Sequence, residues 1–203
     1  HLSLRRQRQM CIRDRFWMIG EKHGINIDKV IEACNYDYPR MAVPHPGPNV
    51  GGPCLFKDGK FLLSDIPFGD LINTSFHINE GMPDYLFNRI KDIAPNVETV
   101  LILGATFKKD CDDTRNSLSF KMRKVCNKHG VSSFIWDPFV MIDEKMPGPT
   151  DYDAVIIMTP HTEVKRVWRV NQFRKDCVIA DLWKMFPESE LSNTGIYKVG
   201  DML

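Results

Sequence analysis

The sequence contains no CxxC pair and no cluster of histidines, although six cysteines and six histidines are scattered over its 203 residues. This spacing signals neither a zinc site nor a disulfide framework, so we expect no metal and a reducing cytoplasm as the location. No apolar run approaches the length that spans a bilayer. Net charge is only +1, with 27 basic and 26 acidic residues, and gives no case for nucleic acid or a membrane as a partner. We therefore expect a soluble protein that binds a small molecule or another protein.

The first fifteen residues, HLSLRRQRQMCIRDR, carry five arginines and little apolar periodicity. No apolar core follows these charges, so the segment is not a signal peptide. Residues 10–15 are also what a transposon-derived sequencing adapter encodes. Our hypothesis is that residues 1–15 are a non-native or disordered tail joined to a truncated reading frame. The alternative is a genuine basic arm that contacts phosphates or acidic lipid.

Residues 16–95 have the apolar spacing of helices. At the start of this range, the pattern predicts a helix that ends at Gly24, with the glycine in the left-handed conformation. A second short helix follows, with Asn26 or Asp28 available as its cap. Further along, apolar residues recur at three- and four-residue steps, which predicts a long amphipathic region interrupted or restarted at Pro83.

The pattern changes at residues 100–103, a short apolar run closed by Gly104 that is typical of a buried parallel strand. Strands and helices alternate beyond it, with a predicted helix over 117–129 and strands over 132–137, 153–159, 177–182 and 196–199. The expected fold class is α/β, in which the helical part is followed by a Rossmann-like parallel-sheet domain over 96–203. Ligands of such sheets bind beyond the carboxyl ends of the strands, so the loops after Leu103, Trp136 and Met158 are candidate binding loops.

The loop HPGPNVGGPCLFKD, residues 45–58, places one cysteine directly behind a run of glycine and proline. Glycines let the backbone approach a ligand closely, and prolines restrict the freedom of the loop. Lys57 and Asp58 lie close to Cys54 in sequence, and an ammonium group favours a thiolate while a carboxylate can take a proton. Cys54 is therefore a candidate nucleophile. The alternative is a small buried hydrophobic residue, with the two charges capping the next helix.

The loop GATFKKDCDDTRNS, residues 104–117, follows the first predicted strand. It offers Lys108, Lys109 and Arg115 where phosphates meet a strand-to-helix turn, although it is neither a GxGxxG motif nor a P-loop. We expect the Asp-Asp-Thr of residues 112–114 to cap the following helix and to interact with its dipole.

Two further polar residues follow strands of the same sheet. Asp137 stands where dinucleotide-binding folds hold a ribose-binding acid, but without a glycine fingerprint we favour a role in the turn. We expect His161 to begin a helix and assign no histidine a role in a reaction.

Four stretches, PGPNVGGPCLFKD, LILGATFKKDCDDTRNS, IWDP and DAVIIMTPHTEVK, together resemble the UDP-glucose/GDP-mannose dehydrogenase family in order and interval. The first stretch is the most specific, because the family carries GG-x-C-x-x-KD around its catalytic cysteine. The resemblance implies an N-terminal NAD-binding domain, a helical middle domain that forms a homodimer, and a C-terminal α/β domain that holds the nucleotide. The chain would comprise the end of the middle domain and the whole of the third.

The resemblance also implies a reaction, the NAD-dependent oxidation of the C6 alcohol of a UDP- or GDP-sugar to the uronate in two hydride transfers. Cys54 would attack the aldehyde to give a thiohemiacetal and then a thioester, and Asp58 would order or activate the water that hydrolyses it. The residues implied to border the cofactor are Cys54, Leu55, Phe56, Lys57 and Arg115. Those implied to contact the substrate are Arg40, His45, Pro46, Gly47, Pro48, Asn49, Val50, Gly51 and Lys108.

One departure from the family concerns the substrate. Many members read Asp-Gly-Arg where this sequence has Asp181, Leu182, Trp183 and Lys184, so a substrate arginine is missing or replaced by Lys184. Arginine and lysine do not bind phosphate in the same way, so the identity of the sugar nucleotide stays open.

Three functional classes follow from these motifs. The family also uses an NAD-binding glycine motif, and a lysine and an asparagine of the middle helix that act with the cysteine. This sequence does not contain them, so we expect no turnover by this chain alone. A rival interpretation is a non-catalytic nucleotide-sugar-binding or assembly module. A thiol-dependent acyl-transfer enzyme using Cys54 would need a histidine partner that the spacing does not offer.

Overall fold

The computed structural model describes residues 14–38, 40, 42–43, 45–48, 70–186 and 197–198. The helices are α1 (14–23), α2 (Ile27–Asn35), α3 (Asp70–Ile93), α4 (Leu118–Lys128) and α5 (Val164–Val167). The strands are β1 (Thr99–Leu103), β2 (Ser132–Trp136), β3 (Ala154–Ile157), β4 (Val178–Ala180) and β5 (Tyr197–Lys198). Helices α1 to α3 form the helical part, and the remaining elements form the sheet domain. The α/β fold class is therefore confirmed.

The predicted end of the first short helix and the predicted start of the second are both present. Gly24 adopts a φ of 63° after α1, the left-handed conformation that glycine reaches without strain. Asn26 caps α2, since its side chain accepts a hydrogen bond from the backbone N–H of Lys29 at 3.2 Å. Asp28, the other candidate cap, lies in the first turn of α2 instead.

The expected interruption at Pro83 is wrong, because α3 runs without a break from Asp70 to Ile93. Proline offers no N–H to the carbonyl one turn earlier, which weakens the helix locally. The same turn carries Met82, Leu86 and Phe87, which are 0%, 0% and 1% exposed. Burial of this apolar face outweighs the lost hydrogen bond, so tertiary packing overrides the local preference.

The sheet has five parallel strands in the order β2-β1-β3-β4-β5. Its register places Leu101 beside Phe134 of β2 and Val155 of β3. Each predicted strand is present; β1 begins one residue earlier than the sequence indicates, and the other four strands are shorter than predicted. Because all strands run in one direction, the loops after β1, β2, β3 and β4 leave from one edge of the sheet, which we call the carboxyl edge.

The core lies on both faces of this sheet. Val100 and Ile102 of β1 point into a cluster that also contains the apolar face of α3 and Met122 of α4. Leu101 and Leu103 point into a second cluster on the opposite face, with Tyr152, Trp168, Val170, Phe173 and Cys177. Such two-sided burial explains why β1 reads as an uninterrupted apolar run rather than an alternating one. None of the helices that the structure describes is both long and apolar enough to cross a membrane.

Candidate functional site at the carboxyl edge

Three loops of the carboxyl edge meet around His161, whose side chain is 0% exposed. Its Nε2 atom lies 3.0 Å from the hydroxyl of Thr106, in the loop after β1, and 3.0 Å from a carboxylate oxygen of Asp137, after β2. Its Nδ1 atom accepts the backbone N–H of Asp110 at 3.0 Å. We call Thr106, Asp110, Asp137 and His161 the His161 cluster. Because this cluster joins residues from three loops, it fixes how those loops lie relative to one another.

Asp137 binds the loops after β1 and β2 through its fully buried carboxylate. One oxygen accepts the backbone N–H groups of Phe139 at 2.8 Å and Val140 at 3.2 Å, which confirms the expected role in the turn. The other oxygen accepts from His161 and from the N–H of Ala105, the latter at 2.7 Å. Burial alone raises the pKa of this carboxyl, but the hydrogen bonds from His161 and the backbone outweigh burial and lower it overall.

Gly104 allows the loops after β1 and β3 to approach each other closely. Its φ is +95°, and a Cβ atom there would lie 2.5 Å from the Cβ of Thr159 and 2.8 Å from its backbone nitrogen. The hydroxyl of Thr159 donates to the carbonyl of Thr106 across this contact, and the hydroxyl of Ser119 in α4 donates to the carbonyl of Gly104 at 2.7 Å. Only glycine fits this position.

Lys108 lies exposed on a turn whose two ends are fixed. Its backbone carbonyl accepts the hydroxyl of Thr106 at 2.9 Å and the thiol of Cys111 at 3.1 Å. On the far side of the turn, the carboxylate of Asp110 accepts the backbone N–H and the hydroxyl of Thr162 at 2.8 and 2.7 Å. These bonds lower the pKa of Asp110. The structure therefore presents the ammonium group of Lys108 from a turn held by its own loop and by the loop after β3.

Arg115 pairs with Asp113 just before α4, in the stretch that we expected to cap this helix. The guanidinium donates from Nε at 2.9 Å and from Nη2 at 2.7 Å, and these bonds lower the pKa of Asp113 to about 2. Residues 112–114 do not cap α4, because the hydroxyl of Ser117 does so by accepting the N–H of Ser119. Arg115 itself is 75% exposed, so the pair holds a cation outward at the start of α4.

The segment 45–48 of the glycine-proline loop packs against the sheet domain at the same edge. Residues 46–48 are buried, and a Cβ atom on Gly47 would lie 2.5 Å from the indole ring of Trp183. Trp183 belongs to the loop after β4, and its indole N–H donates to the carbonyl of Met158 at 3.3 Å. The absence of a side chain at Gly47 thus lets the loop lie directly on this ring.

Asp28 of α2 joins the same two regions by charge. One of its carboxylate oxygens lies 2.9 Å from Nζ of Lys184, and the other lies 2.6 Å from Nδ1 of His45. Burial raises the pKa of Asp28, but its bonds to Lys184 and His45 outweigh burial and lower it overall. Lys184, the candidate replacement for a substrate arginine that is otherwise missing, is engaged by α2 in this arrangement. We call Asp28, His45 and Lys184 the Asp28 bridge.

The described structure therefore brings part of the predicted site to one edge of the sheet. His45, Pro46, Gly47, Pro48, Lys108 and Arg115 lie on loops that reach this edge or on the segment packed against it. Arg40 is exposed beyond the end of α2. Outside the described residues lie Asn49, Val50, Gly51, Cys54, Leu55, Phe56, Lys57 and Asp58.

Sequence reasoning missed the central position of His161 and the contact between Gly47 and Trp183. A polar Thr-Pro-His directly after a buried strand was the available signal for the first, since such residues stand at the carboxyl edge. Among the described side chains, no group of three or more histidine, cysteine, aspartate and glutamate residues is arranged to hold a metal ion. Arg115 and Lys108 are exposed cations suited to an anionic ligand.

Two family models cover most of the chain. The central-domain model of the UDP-glucose/GDP-mannose dehydrogenase family matches residues 5–79, and the UDP binding domain model of the same family matches residues 101–188. These ranges agree with a helical part followed by a sheet domain.

Curated relatives match over the same region. UDP-N-acetyl-D-mannosamine dehydrogenase of Pyrococcus horikoshii is 32% identical over 171 residues, which is 78% of this chain and 40% of that protein. NDP-N-acetyl-D-galactosaminuronic acid dehydrogenase of Ralstonia nicotianae is 34% identical over 103 residues, 49% of this chain and 24% of that protein. The chain spans well under two thirds of the length of these relatives.

Solved structures agree with the sequence matches. UDP-N-acetyl-mannosamine dehydrogenase of Staphylococcus aureus superposes with a TM-score of 0.77 at 28% identity, over 97% of this chain and 48% of that one. The enzyme of Pyrococcus horikoshii superposes with a TM-score of 0.78 at 25% identity, over 98% of this chain and 50% of that one. The chain therefore belongs to the UDP-glucose/GDP-mannose dehydrogenase family.

Proposed function

We propose that this chain is the sugar-nucleotide-binding part of an NAD-dependent nucleotide-sugar 6-dehydrogenase, which oxidises the C6 alcohol of a UDP-sugar to the uronate. The observation that supports this most is the contact of Gly47 with Trp183. It places the segment that leads to Cys54 on the same edge of the sheet as the exposed turn of Lys108. Because the chain spans about half the length of its solved relatives, the complete reaction belongs to a longer protein.

The nucleotide-binding role falls to the carboxyl edge. Lys108 would bind the diphosphate, since an ammonium group on a preset turn binds phosphate oxygens with little loss of side-chain freedom. Arg40 and the residues from His45 to Gly51 would border the sugar nucleotide from the helical part. The ammonium group of Lys184 lies 2.9 Å from Asp28, so in this arrangement it stabilises the loop after β4 and does not bind the phosphate.

The chemical role falls to Cys54 and Asp58. The Cys54 thiolate would add to the C6 aldehyde, hold it as a thiohemiacetal, and carry the acyl group as a thioester after the second oxidation. Water then attacks the thioester carbonyl, the carbon–sulfur bond breaks, and the thiolate and the uronate are released. Asp58 would position that water and take its proton. Lys57 favours the thiolate by its charge.

The described residues fit NAD at one position. Arg115 is 75% exposed and its guanidinium is oriented by Asp113, which suits a contact with the anionic part of a dinucleotide. Leu55, Phe56 and Lys57 would border the same cofactor. When bound, NAD would supply a hydride acceptor, and the two oxidations together would need two NAD molecules in turn, one for each hydride.

The proposed setting is a cytoplasmic homodimer of the longer protein. The helical part exposes Phe16, Ile19 and Val30 by 39%, 49% and 41% on α1 and α2, and such side chains are suited to a subunit interface. Cys34, Cys111, Cys126 and Cys177 are free thiols, as in proteins of a reducing compartment.

Calorimetric titration of the chain with UDP, GDP and UDP-N-acetylmannosamine tests the nucleotide-binding role. We expect UDP and the UDP-sugar to bind, and Lys108→Ala to weaken UDP binding about tenfold, the cost of losing a charge-assisted hydrogen bond. Lys165→Ala is the matched control, because it removes the same charge from an exposed position on α5, and it should change the affinity less than about threefold. Equal losses from the two substitutions would reduce the role of Lys108 to general electrostatic attraction and contradict the proposal.

A further inference from the structure

We propose that His161 is a positioning residue for nucleotide binding, because its Nδ1 atom holds Asp110 at the end of the turn that presents Lys108. This inference rests on the proposed function only for what Lys108 binds. The ring of His161 is 0% exposed, so it acts through the turn and not by touching a ligand. The conformation of the turn itself can be measured in the unliganded chain.

The first step is the location of the ring proton. Nδ1 lies 3.0 Å from the backbone nitrogen of Asp110, whose N–H donates to it, so Nδ1 carries a lone pair. The proton of the ring is therefore on Nε2, which faces the carboxylate of Asp137 and the hydroxyl of Thr106, both at 3.0 Å. Asp137 is itself fixed by backbone N–H groups, so it orients the ring as well as the tautomer.

The second step is the position of these partners along the chain. Thr106 and Asp110 flank Lys108 by two residues on each side. The hydroxyl of Thr106 donates to the carbonyl of Lys108 at 2.9 Å, so its oxygen can act as an acceptor for the Nε2 proton, which also faces Asp137. A single imidazole thus contacts the residue that enters the turn with one nitrogen and the residue that leaves it with the other.

The third step is the strain that the turn carries. Asp110 has a φ of 53°, a conformation that costs energy for a residue with a side chain. Its N–H bond to His161 and its two side-chain bonds to Thr162 hold it there. Without the bond to Nδ1, we expect Asp110 to relax and the turn to sample other conformations, which moves the ammonium group of Lys108.

Two substitutions separate the two nitrogens. His161→Asn keeps a carbonyl oxygen near the position of Nδ1, which can accept the N–H of Asp110, whereas His161→Gln keeps an amide near the position of Nε2. Hydrogen exchange of the Asp110 amide, compared with that of Leu101 in β1 as a measure of global stability, reports the turn in the unliganded chain. We expect the amide of Asp110 to exchange slowly in the unmodified chain and in the Asn variant, and at least about tenfold faster in the Gln variant.

Binding of UDP should follow the same order. We expect the Gln variant to lose about tenfold in affinity, and the Asn variant to stay within about threefold of the unmodified chain. The ¹⁵N spectrum of the unmodified chain should show a pyridine-type Nδ1 and a pyrrole-type Nε2 for His161. A protonated Nδ1, or equal effects of the two substitutions on Asp110 exchange, would overturn the positioning role.

The experiment also separates this inference from the proposed function. If Lys108→Ala leaves UDP affinity unchanged, the nucleotide-binding role of Lys108 fails, and the exchange of the Asp110 amide still decides whether His161 sets the turn. If Lys108→Ala weakens UDP binding while the Gln and Asn variants bind equally well, His161 supports only the fold.

Discussion

Lys184 and Asp28 form an ion pair, with Nζ 2.9 Å from Oδ2, that joins the loop after β4 to α2. The side chain of Asp28 is only 15% exposed, and its second oxygen binds His45 at 2.6 Å. Asp28 thus holds both His45, at the start of the segment 45–48, and the loop after β4 of the sheet domain. In this arrangement the ammonium group of Lys184 holds the loop after β4 to α2.

Asp28→Asn should destabilise the folded chain by about 1 kcal/mol at neutral pH, because it removes a partly buried ion pair. The pKa of Asp28 is lower in the folded than in the unfolded chain, so its contribution is full above the unfolded pKa of about 4 and is lost as pH falls through the folded pKa. Urea denaturation at several pH values measures this. Asp92→Asn, which breaks an exposed pair with Arg89, is the control and should change the free energy of unfolding by less than about 0.5 kcal/mol. A difference for Asp28→Asn that persists unchanged at pH values below its folded pKa would contradict the pairing.

Gly47→Ala should cost about 1–3 kcal/mol in the free energy of unfolding, because its Cβ atom collides with the ring of Trp183. Gly81→Ala in α3 is the matched control, since nothing lies within 4 Å of a Cβ atom there, and it should stabilise the helix by roughly 0.5–1 kcal/mol. In a Trp183→Phe background the shorter ring leaves room, so the cost of Gly47→Ala should fall. Equal costs in both backgrounds would show that the two residues do not touch in solution.

The carboxyl of Asp113 should titrate near pH 2 in the folded chain, because Arg115 donates to both of its oxygens. Carboxyl ¹³C shifts followed against pH measure this directly. Arg115→Gln should raise the pKa of Asp113 toward about 4, the ordinary value for an aspartate. Asp176, whose pKa is lowered by Arg174, is the internal control and should be unaffected. If Asp113 keeps its low pKa in the Arg115→Gln variant, a group other than the Arg115 guanidinium lowers that pKa, which would contradict the prediction.

The cysteines should differ in their rates of alkylation by iodoacetamide at pH 7. Burial raises the pKa of Cys126 and of Cys177 to about 12, so both should stay unmodified until the chain unfolds. Cys34 is exposed and gives the reference rate for an ordinary thiol. Under the proposed function, Cys54 reacts faster than Cys34, and a bound UDP-sugar slows it. Peptide mass spectrometry over time resolves the four sites, and a Cys54 no faster than Cys34 would argue against an activated nucleophile.

Local chemistry was enough to predict much of the fold. Gly24 ends a helix because glycine reaches the left-handed conformation, and Asn26 caps the next because its side chain can accept a backbone N–H. The apolar run of β1 indicates a strand buried on both faces, and the structure buries it so.

What the sequence could not supply was contact between distant residues. Pro83 continues a helix because residues around it pack on the sheet, which no local pattern contains. The cap of α4 was mispredicted for a local reason, because several neighbouring side chains can accept a backbone N–H and Ser117 is the one that does so. The hydrogen-bond partners of the His161 ring lie 24 to 55 residues away in sequence, so its place in the site appears only once the sheet has brought the loops together.

The most direct test of nucleotide binding at the carboxyl edge is a map of backbone amide shifts in the chain during titration with UDP. We expect the largest changes in the turn of Lys108 and at Thr162 and Gly47, with none at Glu98 or Asp153, which lie at the opposite edge of the sheet. Changes confined to that opposite edge, or saturation with no change near Lys108, would contradict the proposed site.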